Sequence, residues 1–440
     1  MTRVVDQHHA EVPLTLEGAP PKVLGVLDQG ALWANLAVSL LGFSGALALV
    51  NAAQDAPLSL AAALTATVVG SLIGTVMVAL SAIPGTQTGQ PSMVLLRGLF
   101  GAKVSYVPTV LNVVQMLGWG AFELWVIAIG CQAIFGDAVP YAVWVIAAGV
   151  LTTVLTIWPL GAIRVLRRYV TIAVIISMAY FAWRFLGEAP PQSGGSWTGF
   201  GPAVDYVIAL SVSWVPLAAD FARHSRSSGA AFAGVVGGYT LAQVACLGLG
   251  IYAVALTGSG DVFPTFVAVP LGALFFGILI LRETDQSFAN VYSTTVSLQN
   301  FLPRVDRRVL SVIVGVITTL IAVWVSADTY ASFLSVIGAV FVPMFAVLAV
   351  DYFVLGGRAR WNTGEDAPSR WSMLIPWALG FVAYWLTTSA VTVAGWDSFW
   401  TGVRDSIGFE RQPWMNGALG AFVVAALVTL LIGLLRGSRR

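Results

Sequence analysis

The chain has 440 residues, 58% of them hydrophobic and 10% charged, with a mean hydropathy of +0.84 and a formal net charge of +1. Soluble domains carry roughly a quarter charged residues, so this composition describes an integral membrane protein embedded in a lipid bilayer. The near-zero charge gives no reason to expect a nucleic-acid partner, two cysteines are too few for a disulfide framework, and no histidine, cysteine or carboxylate spacing suits a metal.

The first 26 residues are polar and lack an apolar h-region, so they read as a cytoplasmic tail and not as a signal peptide. Runs of the roughly 20 apolar residues that a membrane crossing needs then recur at 27–50, 58–82, 105–131, 139–158, 165–186, 203–220, 230–257, 265–298, 309–326, 331–355, 371–393 and 414–435. Breaker-rich stretches such as NAAQDAP, IPGTQTGQP, PPQSGGSWTG and LPRVDRR separate most of them. With the N-terminus inside, Arg184, Arg404 and Arg411 face outward and Arg282 lies within a span, which leaves 18 of the 22 Lys and Arg on inner segments. That asymmetry follows the positive-inside rule and predicts an all-α multi-pass protein of 12 transmembrane helices with both termini cytoplasmic.

In the first span, LLGFSGA (Leu40–Ala46) sets Gly42 and Gly45 around Phe43 and Ser44 and predicts a break there. In the third, Asn112, Gln115, Trp119 and Glu123 recur every three or four residues and form one stripe along a helix. A membrane-embedded carboxylate costs about 2.5–3.5 kcal/mol unless it faces a cavity or a partner. Glu123 is therefore either bonded to neighbouring helices or a ligand group. The indole one turn away favours the second: Trp119 offers a face to a flat heterocycle, and the carboxylate accepts from its N–H donors. The sixth span carries SVSWVPLAAD (Ser211–Asp220), with Pro216 as a second break and Trp214 as a second stacking wall. Asp220 and Arg223, at the cytoplasmic end, are expected to tie loops or to gate. Breaks in spans 1 and 6 occupy equivalent places in two five-helix halves, the pattern of an inverted-repeat transporter with a midplane site.

The eighth window runs TFVAVPLGALFFGILIL without a charge and then meets RETDQ. At about 100° per residue, Ser293, Gln286, Ser297, Asn290, Glu283, Thr294 and Ser287 gather on one side of Arg282, with Asp285 on its other flank. This predicts one polar face on a continuous helix over 265–298; if the span instead ends at Leu281, RETDQ is a loop. Arg282 reaches Asp285 at i+3 and Gln286 at i+4, so Arg282 is expected to pair with Asp285 and leave the Glu283 carboxylate unpaired. An unpaired intramembrane carboxylate is a candidate proton carrier. The structural alternative is a salt-bridged cluster holding span 8 against span 1. Spans 11 and 12 show no polar stripe and read as peripheral. Cys131 and Cys246 read as small core hydrophobes.

Six stretches together resemble the nucleobase:cation symporter family: WANLAVSLLG (Trp33–Gly42), TGQPSMVLLRGLFG (Thr88–Gly101), LNVVQMLGWGAFE (Leu111–Glu123), SWVPLAADFAR (Ser213–Arg223), FANVYS (Phe288–Ser293) and DYFVLGGR (Asp351–Arg358). That family contains the cytosine and purine permeases, the hydantoin transporter and the hydroxymethylpyrimidine permeases, and SWVPLAADFAR and FANVYS look nearest the last branch. The resemblance implies a five-plus-five inverted-repeat, LeuT-like core, with substrate held between broken helices 1 and 6 and helices 3 and 8. It places the family's aromatic and polar pair of span 3 on Trp119 and Glu123, and the amide or carboxylate of span 8 on Asn290. The hydroxyl residues of its sodium-type members fall at Thr284 and Asp285, beside Arg282 and Glu283. That departure argues against sodium coupling.

The expectation is a secondary active transporter that imports a nucleobase or similar heterocycle, with Trp119, Glu123, Asn290, Trp214, Gln115 and Phe43 at the substrate. Arg282, Glu283, Thr284 and Asp285 are expected to couple a cation, protons being favoured over sodium, and no cofactor is called for. An intramembrane enzyme using Glu123, Glu283 and Asp285, or a channel, are the alternatives. The halves are expected at 27–186 and 203–355, followed by two peripheral helices over 371–435 and a cytoplasmic tail at 436–440. Twenty Arg against two Lys suggest a GC-rich bacterium and hence an inner membrane.

Overall fold

Helix is what this sequence must form if its backbone is to cross lipid, because only internal hydrogen bonding satisfies N–H and C=O groups there. The computed structural model describes residues 13–16, 18, 20–52, 57–158, 170–188, 195–258, 262–326, 330–388, 394–412 and 414–437. Among these residues the architecture is all-α, with extended pairing limited to the isolated bridges Leu24–Ser225 and Leu58–Ser196. Most of the N-terminal tail, Arg164, Arg167 and Arg168, the PPQSG stretch (190–194) and the last residues of the C-terminal tail lie outside the described residues.

The first window holds α1 (Val26–Ala37) and α2 (Leu40–Val50), which meet at 59°. The bend lies at Val38–Ser39, where the backbone is extended, and not within the expected Leu40–Ala46 stretch. Gly42 and Gly45 instead lie inside α2 and serve packing. A Cβ on Gly42 would approach Cys246 Sγ to 3.2 Å, and one on Gly45 would meet the Tyr206 hydroxyl at 2.2 Å. The helices α3 (Leu60–Thr88), α4 (Ser92–Phe100), α5 (Tyr106–Phe135), α6 (Tyr141–Ile157) and α7 (Thr171–Leu186) follow.

In the sixth window, α8 (Phe200–Val212) gives way to a tight 3-10 turn over Val215–Leu217 around Pro216, and then to α9 (Ala218–Ala222). Next come α10 (Ser228–Gly234), a π-turn at Val235–Tyr239 and α11 (Thr240–Thr257), which together form one rod. The eighth window is two helices and not one: α12 (Phe263–Ala268) and α13 (Gly272–Leu298). Pro270 lies between them and Leu271 takes a left-handed φ of 57°, so α13 starts only at Gly272. RETDQ lies well inside α13, which sets aside its reading as a loop. The chain ends with α14 (Arg307–Ala322), α15 (Tyr330–Ala349) with a π-turn at Val350–Val354, α16 (Gly357–Arg360), α17 (Leu374–Thr387), α18 (Ala394–Ser406) and α19 (Gly417–Gly437). The helix α18 falls in a stretch the sequence reading left unassigned.

Each of the twelve apolar windows contains a helix. Six helices among the described residues are long and apolar enough to cross a membrane, or seven with the bent α1–α2 pair counted as one. The site is positioned by three packings: α5 runs along α13, α3 runs along α8, and α1 lies against α10 and the π-turn that follows it. Helices α17 and α19 pack on α15 at the edge of the bundle. Every residue of α13 from Arg282 to Ser297 is buried, so both its polar and its apolar faces are covered by protein.

Candidate functional site

The bend between α1 and α2 frees backbone groups that helical bonding would have satisfied. Side chains of α13 and α11 take them up. Gln286 Nε2 donates to Leu36 O. Ser39 Oγ donates to Glu283 Oε1 at 2.8 Å, and Leu40 N donates to Glu283 Oε2 at 3.1 Å. Cys246 Sγ donates to Ser39 O at 3.1 Å. Glu283 thus acts as the anionic cap of α2, where a helix N-terminus favours negative charge.

Beside this junction lies a narrow cavity of about 40 Å³, lined from α1, α2, α5, α8, α11, α13 and α15. One wall is Trp214 and Tyr239, edge to face at 6.3 Å and backed by Trp33. Trp119 and Tyr330 contribute a second edge-to-face pair at 6.0 Å. Between them the lining is polar: Glu123, Asn290, Gln286, Gln243 and Ser213. Trp119 Nε1 and Glu123 Oε2 are buried without a partner. The Asn290 side-chain amide, also at the cavity, has no partner among the described residues, its backbone carbonyl alone being held by Thr294. A donor, an acceptor and an amide offering both therefore converge on one small space between indoles. An unsatisfied buried polar group costs about 1–3 kcal/mol, and a ligand that completes these bonds recovers that cost.

The other residues singled out in the sequence fall around this cavity and not in its lining. Gln115 Nε2 donates to Asn112 Oδ1 at 2.9 Å and to Ser213 O at 3.3 Å, and Asn112 Nδ2 donates to Ser297 Oγ at 2.8 Å. The stripe on α5 therefore divides: Trp119 and Glu123 face the cavity, while Asn112 and Gln115 fasten α5 to the α8 turn and α13. Phe43 is fully buried against Phe266 at 4.8 Å, on α2 away from the lining. Thr284 Oγ1 donates back to Leu281 O at 2.7 Å. Asp220 Oδ1 accepts from Ser92 N at 2.8 Å and so caps α4, and Arg223 Nη2 donates to the Tyr292 hydroxyl at 3.1 Å.

The charged cluster is paired differently from the i+3 expectation. Arg282 Nη1 lies 3.3 Å from Glu283 Oε2, both side chains being buried, while Asp285 Oδ1 has no partner. Glu283 and Asp285 are two residues apart, about 200° around the helix. The guanidinium turns toward the carboxylate that Ser39 and Leu40 already anchor, which leaves Asp285 on the other side. Glu123 from α5 comes within hydrogen-bonding reach of Glu283 and feels Arg282 as well. Arg282 Nε and Nη2 are buried without partners.

Several lining residues carried no signal in the sequence. Gln243 is a lone polar residue in the apolar run of α11; Ser211 Oγ donates to its Oε1 at 2.8 Å and orients its amide. Tyr239 and Tyr330 look like ordinary apolar-span aromatics, and only packing brings them to the cavity. Gln286 lay on the predicted polar face of α13, and that face was the available signal.

Comparisons with known proteins agree with this architecture. The family model described as permease for cytosine/purines, uracil, thiamine, allantoin matches residues 32–363. The cytosine permease of Escherichia coli (strain K12) is 24% identical over 338 residues, covering 73% of this chain and 78% of its own. The purine-uracil permease NCS1 of Arabidopsis thaliana is 24% identical over 391 residues, covering 77% of this chain and 63% of its own. Among solved structures, Mhp1, a nucleobase-cation-symport-1 family transporter, in a closed conformation with bromovinylhydantoin bound, superposes with a TM-score of 0.74 at 16% identity over 97% of this chain and 94% of that one. A Na+-coupled sialic acid symporter in a substrate-bound outward-open state follows at a TM-score of 0.62 and 10% identity, over 97% and 93% of the two chains. A match over residues 32–363 takes in every residue that lines the cavity, and the chain belongs to the cytosine/purine permease family of nucleobase:cation symporters, which are membrane transporters and not enzymes.

Proposed function

We propose that this protein is a cation-coupled importer of a small planar nucleobase-type heterocycle, working through twelve crossings arranged as two inverted five-helix halves plus two peripheral helices. The observation that carries the reading is the convergence of unpartnered groups, Trp119 Nε1, Glu123 Oε2 and the Asn290 amide, on a cavity walled by Trp119 and Trp214. The ring lies against Trp214, its N–H donors go to Glu123, and a ring carbonyl accepts from Trp119 Nε1–H. Asn290 reads the remaining edge with a donor and an acceptor. The cytosine and purine-uracil permeases among the relatives support this substrate class. A thermal-shift screen of purified protein against pyrimidines, purines, hydantoins and hydroxymethylpyrimidine tests it, because a ligand raises stability by RT ln(1 + [L]/Kd). No shift with any member of the panel would overturn the substrate class.

For coupling, we infer that protons drive transport without sodium. Two features support this. The oxygens at the α1–α2 bend, Leu36 O and Ser39 O, already accept from Gln286 and Cys246, and the buried Arg282 guanidinium supplies a fixed positive charge next to them. One guanidinium balances one carboxylate among Glu123, Glu283 and Asp285, so the other two call for bound protons or another cation, and one that comes and goes would couple transport. Asp285, without an ion-pair partner, is the carrier the geometry favours, ahead of Glu283. Uptake into proteoliposomes under imposed proton and sodium gradients decides the matter, repeated with Asp285→Asn and Arg282→Ala. Strong sodium dependence with indifference to the proton gradient would assign the cluster to architecture alone.

A further inference from the structure

Away from the substrate cavity, a second and larger one opens at the end of the bundle where α4, α15, α16, α17 and α19 meet. Its volume is about 830 Å³. Four guanidiniums line it, those of Arg97, Arg360, Arg370 and Arg436, against a single lining carboxylate, Asp351. That carboxylate is taken. Arg370 grips it with both nitrogens, Nη2 to Oδ1 at 2.6 Å and Nη1 to Oδ2 at 3.0 Å, and Trp361 Nε1 donates to Oδ2 at 2.7 Å. The other three arginines donate to neutral oxygens only. Arg97 holds Asn300 through Nε to Oδ1 at 2.6 Å and Nη2 to the backbone O at 2.9 Å. Arg360 bonds Leu355 O and Gly356 O, and Arg436 bonds Ser372 Oγ. Glu365 acts on Arg97 from outside the lining and leaves the cavity positive.

We propose that this cavity binds the phosphate of an anionic membrane phospholipid. Arginines gathered around one space supply the guanidinium donors that phosphate oxygens fit, and basic pockets between membrane helices hold anionic headgroups. A free phosphate ion shares that chemistry, but the rim points to a lipid. Val354 and Leu434 stand at the cavity 65% and 60% exposed, on the last turns of two apolar helices, where acyl chains would lie against them. The bound lipid would bridge the core helix α15 and the peripheral α19, whose small-residue contact at Gly433 and Leu355 lies at the same level. It would thereby clamp the peripheral helices to the transporter.

The test uses the full chain, purified in neutral detergent and stripped of lipid. Phosphatidylglycerol, phosphatidylcholine and inorganic phosphate are added separately and the melting temperature followed. The expected result is a rise with phosphatidylglycerol that the other two do not give, at least halved in Arg360→Gln/Arg436→Gln and kept in the control Arg226→Gln. Arg360 and Arg436 are surface residues, so the double variant is expected to fold; should it not, native mass spectrometry of the wild type supplies the second measurement. There, phosphatidylglycerol should be retained over phosphatidylcholine by about tenfold or more. Equal effects of the two lipids, equal shifts in wild type and double variant, or a matching shift from inorganic phosphate would each overturn the proposal.

Discussion

At the scale of single residues, Glu123 is the side chain whose environment says most about substrate. It is 2% exposed, one of its oxygens has no partner, and an indole N–H without a partner stands beside it. In Glu123→Gln an N–H donor can take the place of an accepting carboxyl oxygen, so the change should weaken ligands rich in N–H donors by about 1–3 kcal/mol. Calorimetric titration of the variant with the best ligand from the heterocycle screen measures this, and unchanged affinity would remove Glu123 from the site. Asn290→Asp should alter which heterocycles are accepted and leave the amount of folded protein unchanged, since the amide holds no structural bond; uptake competition across the same panel reads it out. Both residues were legible in the sequence, because a polar residue is costly in lipid and must be explained. Phe43 and Gln115 were named on the same grounds of position, and the fold turns them toward other helices. Nothing in a one-dimensional pattern says which of two neighbouring positions on a stripe faces the hole.

At the scale of elements, the bend between α1 and α2 is held by one carboxylate. Glu283 receives Ser39 Oγ and Leu40 N and faces the Arg282 guanidinium. Glu283→Gln strands that guanidinium in the interior, and breaking a buried pair by removing one partner costs about 3–5 kcal/mol. The melting temperature in detergent should therefore fall markedly, and the double variant Arg282→Met/Glu283→Gln should recover much of the loss. Ser39→Ala removes a bond to a helix N-terminus and should cost about 1 kcal/mol. The π-turn beside α1 makes a second element-scale prediction. A Cβ on Gly238 would fall 2.2 Å from Gly30 O, backbone against backbone, so Gly238→Ala should push α1 off its neighbour and destabilise the protein more than Gly237→Ala, whose Cβ meets open space. The sequence pointed to breaks in the first and sixth windows, yet it put the first break at the glycines. Glycine composition alone does not separate a helix that ends from a helix that is closely packed.

At the scale of the whole molecule, Leu14 and residues 21–24 tie distant segments together. Leu14 O accepts from Arg307 N at 3.0 Å and from Gln299 Nε2 at 2.8 Å, Lys22 Nζ donates to Thr86 O at 2.8 Å, and Val23 N and Leu24 N both reach His224 O at 2.9 Å. His224 follows the last turn of α9, outside the spans, with Nδ1 at 3.1 Å from Pro21 O and Nε2 buried without a partner. Burial, reinforced by the adjacent Arg223 charge, lowers its imidazole from the ordinary 6.5 to about 3. Above pH about 6.5 the ring is neutral in both folded and unfolded chains and contributes no pH dependence. Below it the unfolded chain takes up a proton that the folded one refuses, so stability should fall by about 1.4 kcal/mol per pH unit until the folded value is reached. Melting temperatures between pH 7 and 5 should show this slope in the wild type and a shallower one in His224→Gln.

Composition, the period of the apolar runs and the placement of arginines determined that this is an all-helical membrane protein, because lipid permits few other solutions. Those features also marked α5 and α13 as carriers of the polar chemistry, since every polar residue in an apolar span must face protein or a cavity. Tertiary packing alone decided the pairing within that chemistry. Arg282 goes to Glu283 and not to Asp285 because Ser39 and Leu40, some 240 residues earlier in the chain, already hold the Glu283 carboxylate. Tyr239, Gln243 and Tyr330 join Trp119 and Trp214 around the cavity for the same reason. A side chain's partners on other helices depend on interhelical distance and rotation, which no local periodicity encodes.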